Sequence, residues 1–427
     1  MPSQAIWRHV QGKLLGAALL AGALAFAQTD GGSFMLRGGT IHTISGPVIE
    51  NGSVLVRNGK IVGVGRNLSA PEGTQVIDVK GEQIYPGMID SASKIGLEKT
   101  DDQETGDFNP QLNPANTINP DDEQLPASRG NGVTSAMEMP EGELISGQVS
   151  LVHMNAGEVA PKLAVHLRFP AIETTPIKPH ESFTDDDEPT TAVEEKVVPY
   201  SEAKAAFNVK MAALNGFFDA ARRYRHSHTT PDLRYDAMIP VLEGKEPMFV
   251  TAVREREIRD AIAFADKQKI KIVLADPYEA YKVLPLIKSH NIPVVLGPTL
   301  SLPINRDDPY DRSYTTPAAL YKAGIKFSIG TFSSKLTRNL PYQAAAAVPF
   351  GLPKDEAYKA VSLNAAEIFG LGKRMGSVDE GKVADLIVTD GDPLEATTHV
   401  KMVFIDGKPV DLKTRQQLLY EKYLNRP

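Results

Sequence analysis

Nine histidines and no cysteine bound the chemistry open to this 427-residue chain. Without cysteine there are no disulfides, no thiolate metal sites and no cysteine nucleophile. Any transition-metal site must then be built from imidazoles and carboxylates. One local His-x-His is present, His226-Ser227-His228, directly after Arg222-Arg223-Tyr224-Arg225. A cluster of positive side chains there suits the C-terminal end of a helix better than a metal pair. His153 and His166 fall in or beside apolar runs, where a hydrogen-bonded core or wall histidine is the expected role. His42 lies in a β-rich N-terminal piece, and His180, His290 and His399 are isolated in polar surroundings. The run Asp185-Asp186-Asp187-Glu188 lacks EF-hand spacing and reads as a solvated loop. No Gly-x-Ser-x-Gly elbow or Walker loop is found, so neither serine-elbow nor phosphate-loop chemistry has support.

The frame that must position these residues is a mildly acidic globular chain. Lys plus Arg number 46 and Asp plus Glu 53, a net charge of −7, so no basic footprint for nucleic acid is expected. Hydrophobic residues at 42% and charged residues at 23% are ordinary for a globular protein. Arg8 and Lys13 precede the apolar run Leu14 to Phe26, followed by the small-x-small site Ala25-Phe26-Ala27. These features predict a signal peptide over residues 1–27, cleaved after Ala27, and a periplasmic or secreted protein. The run is short for about 30 Å of hydrocarbon, so no stable membrane anchor is expected.

Residues 33–83 read as short strands, with Asn58-Gly59 as a type I′ hairpin signal. A matching piece near the C-terminus carries Asp406-Gly407. Between them, eight buried-type strands are predicted at 84–90, 133–137, 149–153, 163–167, 248–253, 272–275, 293–296 and 325–329. Helices are predicted at 201–225, 255–269, 278–290, 317–323, 341–350 and 354–369. Strands alternating with helices point to a (β/α)8 barrel, although the first three crossovers lack a helical pattern. Polar stretches at 98–131 and 172–200 follow candidate strands and should lie over the barrel's top face.

Tyr85-Pro86-Gly87-Met88-Ile89-Asp90 and Gly376-Ser377-Val378-Asp379-Glu380-Gly381-Lys382-Val383-Ala384-Asp385-Leu386 carry a family likeness. So do Arg338-Asn339-Leu340-Pro341-Tyr342 and Ser362-Leu363-Asn364-Ala365-Ala366. On these motifs the chain resembles the amidohydrolase superfamily, in particular imidazolonepropionase-like metal-dependent hydrolases, with a degenerate metal site. The resemblance implies an α/β fold: a distorted TIM (β/α)8 barrel plus a small β-sandwich domain built from both chain ends. The implied division is an N-terminal β-sandwich segment at 28–83, the barrel at 84–370, and a C-terminal β-sandwich segment with a tail at 371–427. The motifs themselves read as structural; Asn364, for example, could help cap a helix.

The family would use one or two divalent metal ions, typically zinc, to polarise a carbonyl and activate water. Its first ligand pair, His-x-His, falls here on Ala92 and Lys94. The fifth-strand position falls on Thr251 and Val253, the sixth on Asp276, and the eighth-strand aspartate on Phe332. No cofactor is therefore expected. Two functions stay open: a non-catalytic protein binding a small molecule or a paralogous amidohydrolase subunit, or an active hydrolase of non-peptide C–N bonds with an atypical site. An oligomer is compatible with both. If Lys94 and Asp276 both point inward, they should pair across the vacated metal position.

Overall fold

The computed structural model describes residues 33–97, 106–174, 197–227, 230–305, 307–424 and 426. The expected signal peptide, His180, His228 and the 185–188 acidic run lie outside the described residues. Among the described residues no helix is long and apolar enough to cross a membrane.

The chain opens with β1 (Phe34–Ile41), β2 (Ile49–Arg57), β3 (Lys60–Gly65), β4 (Gln75–Asp78) and β5 (Gln83–Pro86). Next come β6 (Met88–Ser93), β7 (Val133–Glu138), β8 (Ile145–His153), β9 (Glu158–Arg168), β10 (Met248–Thr251), β11 (Ile272–Ala275), β12 (Val294–Leu296) and β13 (Phe327–Ile329). It ends with β14 (Leu386–Thr389), β15 (Val400–Ile405) and β16 (Lys408–Pro409). The helices are α1 (Gln124–Gly130), α2 (Tyr200–Ser227), α3 (Leu233–Leu242), α4 (Glu255–Gln268) and α5 (Leu284–Ser289). They continue as α6 (Arg312–Lys322), α7 (Leu340–Ala346), α8 (Lys354–Ala360), α9 (Leu363–Ile368) and α10 (Arg415–Leu424).

Strands β6 to β13 form one eight-stranded sheet in chain order. Its ends meet: the Phe332 N–H donates to Ala92 O at 2.7 Å and the Lys94 N–H to Ser333 O at 3.3 Å. Together they make the distorted TIM barrel. The distortion is β8, which runs antiparallel to both β7 and β9. Antiparallel neighbours need only a hairpin, whereas parallel ones need a crossover, usually a helix. This is why no helical pattern separates β7, β8 and β9. The crossover from β6 to β7 does carry α1, a short helix containing Pro126 that periodicity does not reveal. Two predicted helices are divided: 278–290 into a 3-10 turn at Tyr278–Lys282 and α5, and 354–369 into α8 and α9.

Alternation along the strands explains the near-continuous apolar runs. Phe249, Val273, Ala275 and Val295 turn into the barrel interior, while Met248, Val250, Leu274 and Val294 face the helices. Strands covered on both faces have no polar side to show. The helices answer with one apolar stripe each; α4 buries Ile258, Ala261, Ile262 and Ala265, at i, i+3, i+4 and i+7.

The other sheet is built from both ends of the chain, in the order β16-β15-β14-β5-β1-β2-β3, with β4 also on β1. Its core includes Leu36, Ile41, Val54, Ile61, Leu386 and Phe404. Both hairpin signals form: Asn58 and Gly59 have φ of 51° and 75°, Asp406 and Gly407 51° and 69°, as type I′ turns require. The strand predicted at 84–90 is divided at Gly87, with β5 in this sheet and β6 in the barrel. A Cβ on Gly87 would stand 2.2 Å from two side-chain atoms of Thr134, so no larger residue fits this junction. His153 Nε2 lies 3.1 Å from Asp385 Oδ2, and Asp385 Oδ1 accepts from the Asp406 N–H at 2.8 Å. The Ala-Asp motif thus ties the barrel to the second sheet. Asn364 does not cap its helix; its side-chain amide donates to Phe327 O at 2.9 Å, at the barrel's base.

Candidate functional site

All six predicted positions stand at C-terminal ends of barrel strands, the end where TIM barrels place their chemistry. Their side chains do not share one point.

Ala92 and Phe332 meet directly where the barrel closes. Asp90, fully buried, fixes this junction: Oδ1 accepts from the N–H groups of Ala92 at 3.2 Å and Thr331 at 2.9 Å, and Oδ2 from the Thr331 hydroxyl at 2.5 Å. Burial outweighs these bonds and pushes the Asp90 pKa up to about 6. Phe332 has a left-handed backbone, φ 52°, and packs against the interior cluster that contains Ala92 and Phe249.

Thr251 ends β10, and its hydroxyl lies 2.9 Å from His166 Nε2. The other ring nitrogen, Nδ1, meets the Ser146 hydroxyl at 2.5 Å. The imidazole, buried at the end of β9, therefore has both nitrogens committed. Burial holds its pKa at about 3, and the positive charges of Lys94 and Arg168 push the same way. At neutral pH it is an uncharged, fully bonded wall residue, as its apolar setting in the sequence suggests.

Lys94 does not take Asp276 as its partner. Its ammonium meets the exposed Glu141 carboxylate, in the loop after β7. Burial and then Arg168 lower its pKa. Asp276 has φ 50°, and this left-handed turn lays its carboxylate over β12's end. A Cβ on Gly297 would stand 2.0 Å from Asp276 Oδ1. Val253 is further removed from the mouth chemistry. Its N–H donates to Glu257 Oε2 at 2.8 Å and its carbonyl accepts from the Glu279 N–H at 3.0 Å, so it serves the start of α4.

The mouth thus gathers Lys94, Arg168, a neutral His166, Thr251 and Phe332. Arg168 and Glu141 were missed in the sequence. Alternation along β9 carries the signal for Arg168, which shares a strand face with His166 two residues earlier. Among the described residues no three His, Asp or Glu side chains gather so as to hold a metal ion. Alanine and phenylalanine offer no donor, a protonated lysine offers none, and the His166 nitrogens are taken. These side chains do not fit a divalent cation. Beside the mouth, at the start of α4, lies an open cleft of about 530 Å³ lined by Pro170, Thr174, Tyr200, Phe207, Arg254 and Asn305.

Comparison with known proteins agrees with the fold. The chain is 23% identical to the amidohydrolase tasK of Hapsidospora irregularis over 398 residues, covering 83% of this chain and 39% of that protein. It is 35% identical to the imidazolonepropionase of Thermoplasma volcanium over 115 residues, 25% of this chain and 28% of that one. The chain therefore spans well under half the length of either curated relative. The crystal structure of an amidohydrolase from Thermotoga maritima superposes with a TM-score of 0.73 at 24% identity, covering 88% of this chain and 99% of that chain. Residues 125–410, from α1 past the last strand of the second sheet, match the amidohydrolase family profile, and the chain belongs to that family.

Proposed function

We propose that this protein is an exported, non-catalytic member of the amidohydrolase family that has lost its relatives' metal ligands and binds a small molecule or a paralogous amidohydrolase subunit. One observation carries the reading: the mouth sets Lys94 and Arg168 beside a His166 whose nitrogens are both bonded. A divalent ion needs neutral or anionic donors, and two cations repel it. The open cleft beside α4 gives a small molecule a polar and aromatic surface next to the mouth. Export rests on the Leu14 to Phe26 run after Arg8 and Lys13.

The test is metal content and turnover of the full chain, purified without chelator. Elemental analysis should find no stoichiometric zinc, manganese or iron. A panel of N-acyl and cyclic amides should not be hydrolysed in a chelator-sensitive way. Family membership favours a second reading, an active hydrolase of non-peptide C–N bonds with an atypical site. Stoichiometric metal with chelator-sensitive turnover would replace the first reading by the second. For export, the protein recovered from the periplasm or medium should begin at Gln28.

A further inference from the structure

Outside the first two barrel strands, α1 packs on β7 and on the turn at Thr337–Asn339. Beside the apolar Leu125, Val133 and Ala136, the layer between them holds buried polar groups. In the parallel register of β6 and β7, Ser93 stands opposite Glu138 and Asp90 opposite Ala136. Glu138 is 0% exposed, and neither carboxylate oxygen has a hydrogen-bond partner. Ser128, one of the two buried residues of α1, is also 0% exposed with an unpaired hydroxyl. Around them, Ser93 Oγ lies 2.9 Å from Thr337 Oγ1, which lies 3.5 Å from the Thr331 hydroxyl bonded to Asp90.

A buried carboxylate without a partner is costly, commonly several kcal/mol, and native structures pair such groups with a cation, a proton or ordered water. Burial pushes the Glu138 pKa far up, and the charges of Asp90 and Asp122 add to it. No lysine or arginine forms an ion pair with Glu138 among the described residues. Glu138, Ser128, Ser93 and Thr337 offer oxygen atoms alone, the preference of hard cations and not of zinc or copper.

We propose that this layer is a binding site for one alkali-metal cation, held by Glu138 with the hydroxyl oxygens of Ser93, Thr337 and Ser128. The ion gives Glu138 the counter-charge it lacks and ties β6, β7, α1 and the loop after β13 together, next to where the barrel closes. A proton on Glu138 is the competing occupant. The site lies outside the barrel interior and stands whether or not the mouth is catalytic.

The experiment is thermal unfolding of the full chain at constant ionic strength, exchanging choline chloride for sodium or potassium chloride. Ligand linkage predicts a midpoint rising by roughly 2 °C for each tenfold rise in free cation once the site begins to fill. The two salts tell which ion is preferred. Glu138→Gln should abolish the dependence. Ser128→Ala, which keeps every charge, should move it to higher cation concentration; it decides the matter if the glutamine variant does not fold. Equal midpoints in sodium, potassium and choline overturn the proposal. So does a cation dependence that Ser128→Ala leaves unchanged.

Discussion

Replacing His166 by glutamine tests whether the barrel mouth holds a neutral, fully bonded imidazole. Folding lowers the His166 pKa from its ordinary 6.5 to about 3. Between those values the unfolded chain binds a proton that the folded chain refuses. Stability is therefore fully present above pH 6.5 and is lost as the pH falls toward 3. Each pH unit is worth about 1.4 kcal/mol, or roughly 5 kcal/mol across the window. Glutamine can keep one of the two bonds, to Ser146 or to Thr251, but loses the ring that packs 6.2 Å from the Phe249 centroid. At pH 7.5 the variant should be about 2 kcal/mol less stable. Below pH 6.5 it should lose stability more slowly, by about 1.4 kcal/mol per pH unit, so the two curves cross at roughly pH 5. Urea denaturation of both proteins, followed by circular dichroism from pH 7.5 to 4 at fixed ionic strength, measures this. Groups common to both proteins cancel in the difference. Parallel curves would refute the reasoning, because they mean that His166 takes up its proton in the folded state as readily as in the unfolded one.

Lys94→Ala should change stability at neutral pH by less than about 1 kcal/mol, since its Glu141 partner is 60% exposed, and denaturation at pH 7.5 checks it. The same substitution removes a charge that lowers the His166 pKa, so the acid-driven loss should be smaller than in the native chain. Gly87→Ala puts a methyl 2.2 Å from Thr134 and should cost about 1–3 kcal/mol in a urea titration; adding Thr134→Ala should recover part of the loss. Phe332→Asp suits the left-handed backbone at φ 52°, yet elemental analysis should still find no bound zinc, because one carboxylate does not free the His166 nitrogens.

Much of the architecture was legible because burial writes itself into apolar runs. The barrel strands and both Asx-Gly hairpins stand where those patterns lie. Direction and division were less legible. Val149 to His153 has the composition of a buried strand whichever way it runs, and only its pairing with β7 and β9 reveals the reversal. Residues 84–90 look like one strand because Ile84 and Ile89 are equally apolar; the break at Gly87 is set by Thr134, which is far away in sequence. α1 is hidden because a seven-residue helix containing proline has too few turns to show a period.

The mouth was legible in its positions and not in its partners, and the difference lies in what fixes each. Ala92 and Phe332 meet because backbone hydrogen bonds close the barrel there, and those follow from fold alone. Lys94 was expected to neutralise Asp276, but a long side chain takes the nearest carboxylate that stays in water, here Glu141. Asp276 has a left-handed backbone, φ 50°, and its carboxylate lies against Gly297 at the end of β12, a placement that its apolar strand does not announce. The result has a charge logic of its own. A metal site gathers neutral imidazoles and carboxylates around a cation. This mouth gathers two cationic side chains around an imidazole that refuses a proton, and the one carboxylate that closes the barrel, Asp90, is spent on Thr331 and Ala92. Building a metal site at this mouth would therefore take more than a single donor: the hydrogen bonds of His166 must be broken and the charges of Lys94 and Arg168 removed together.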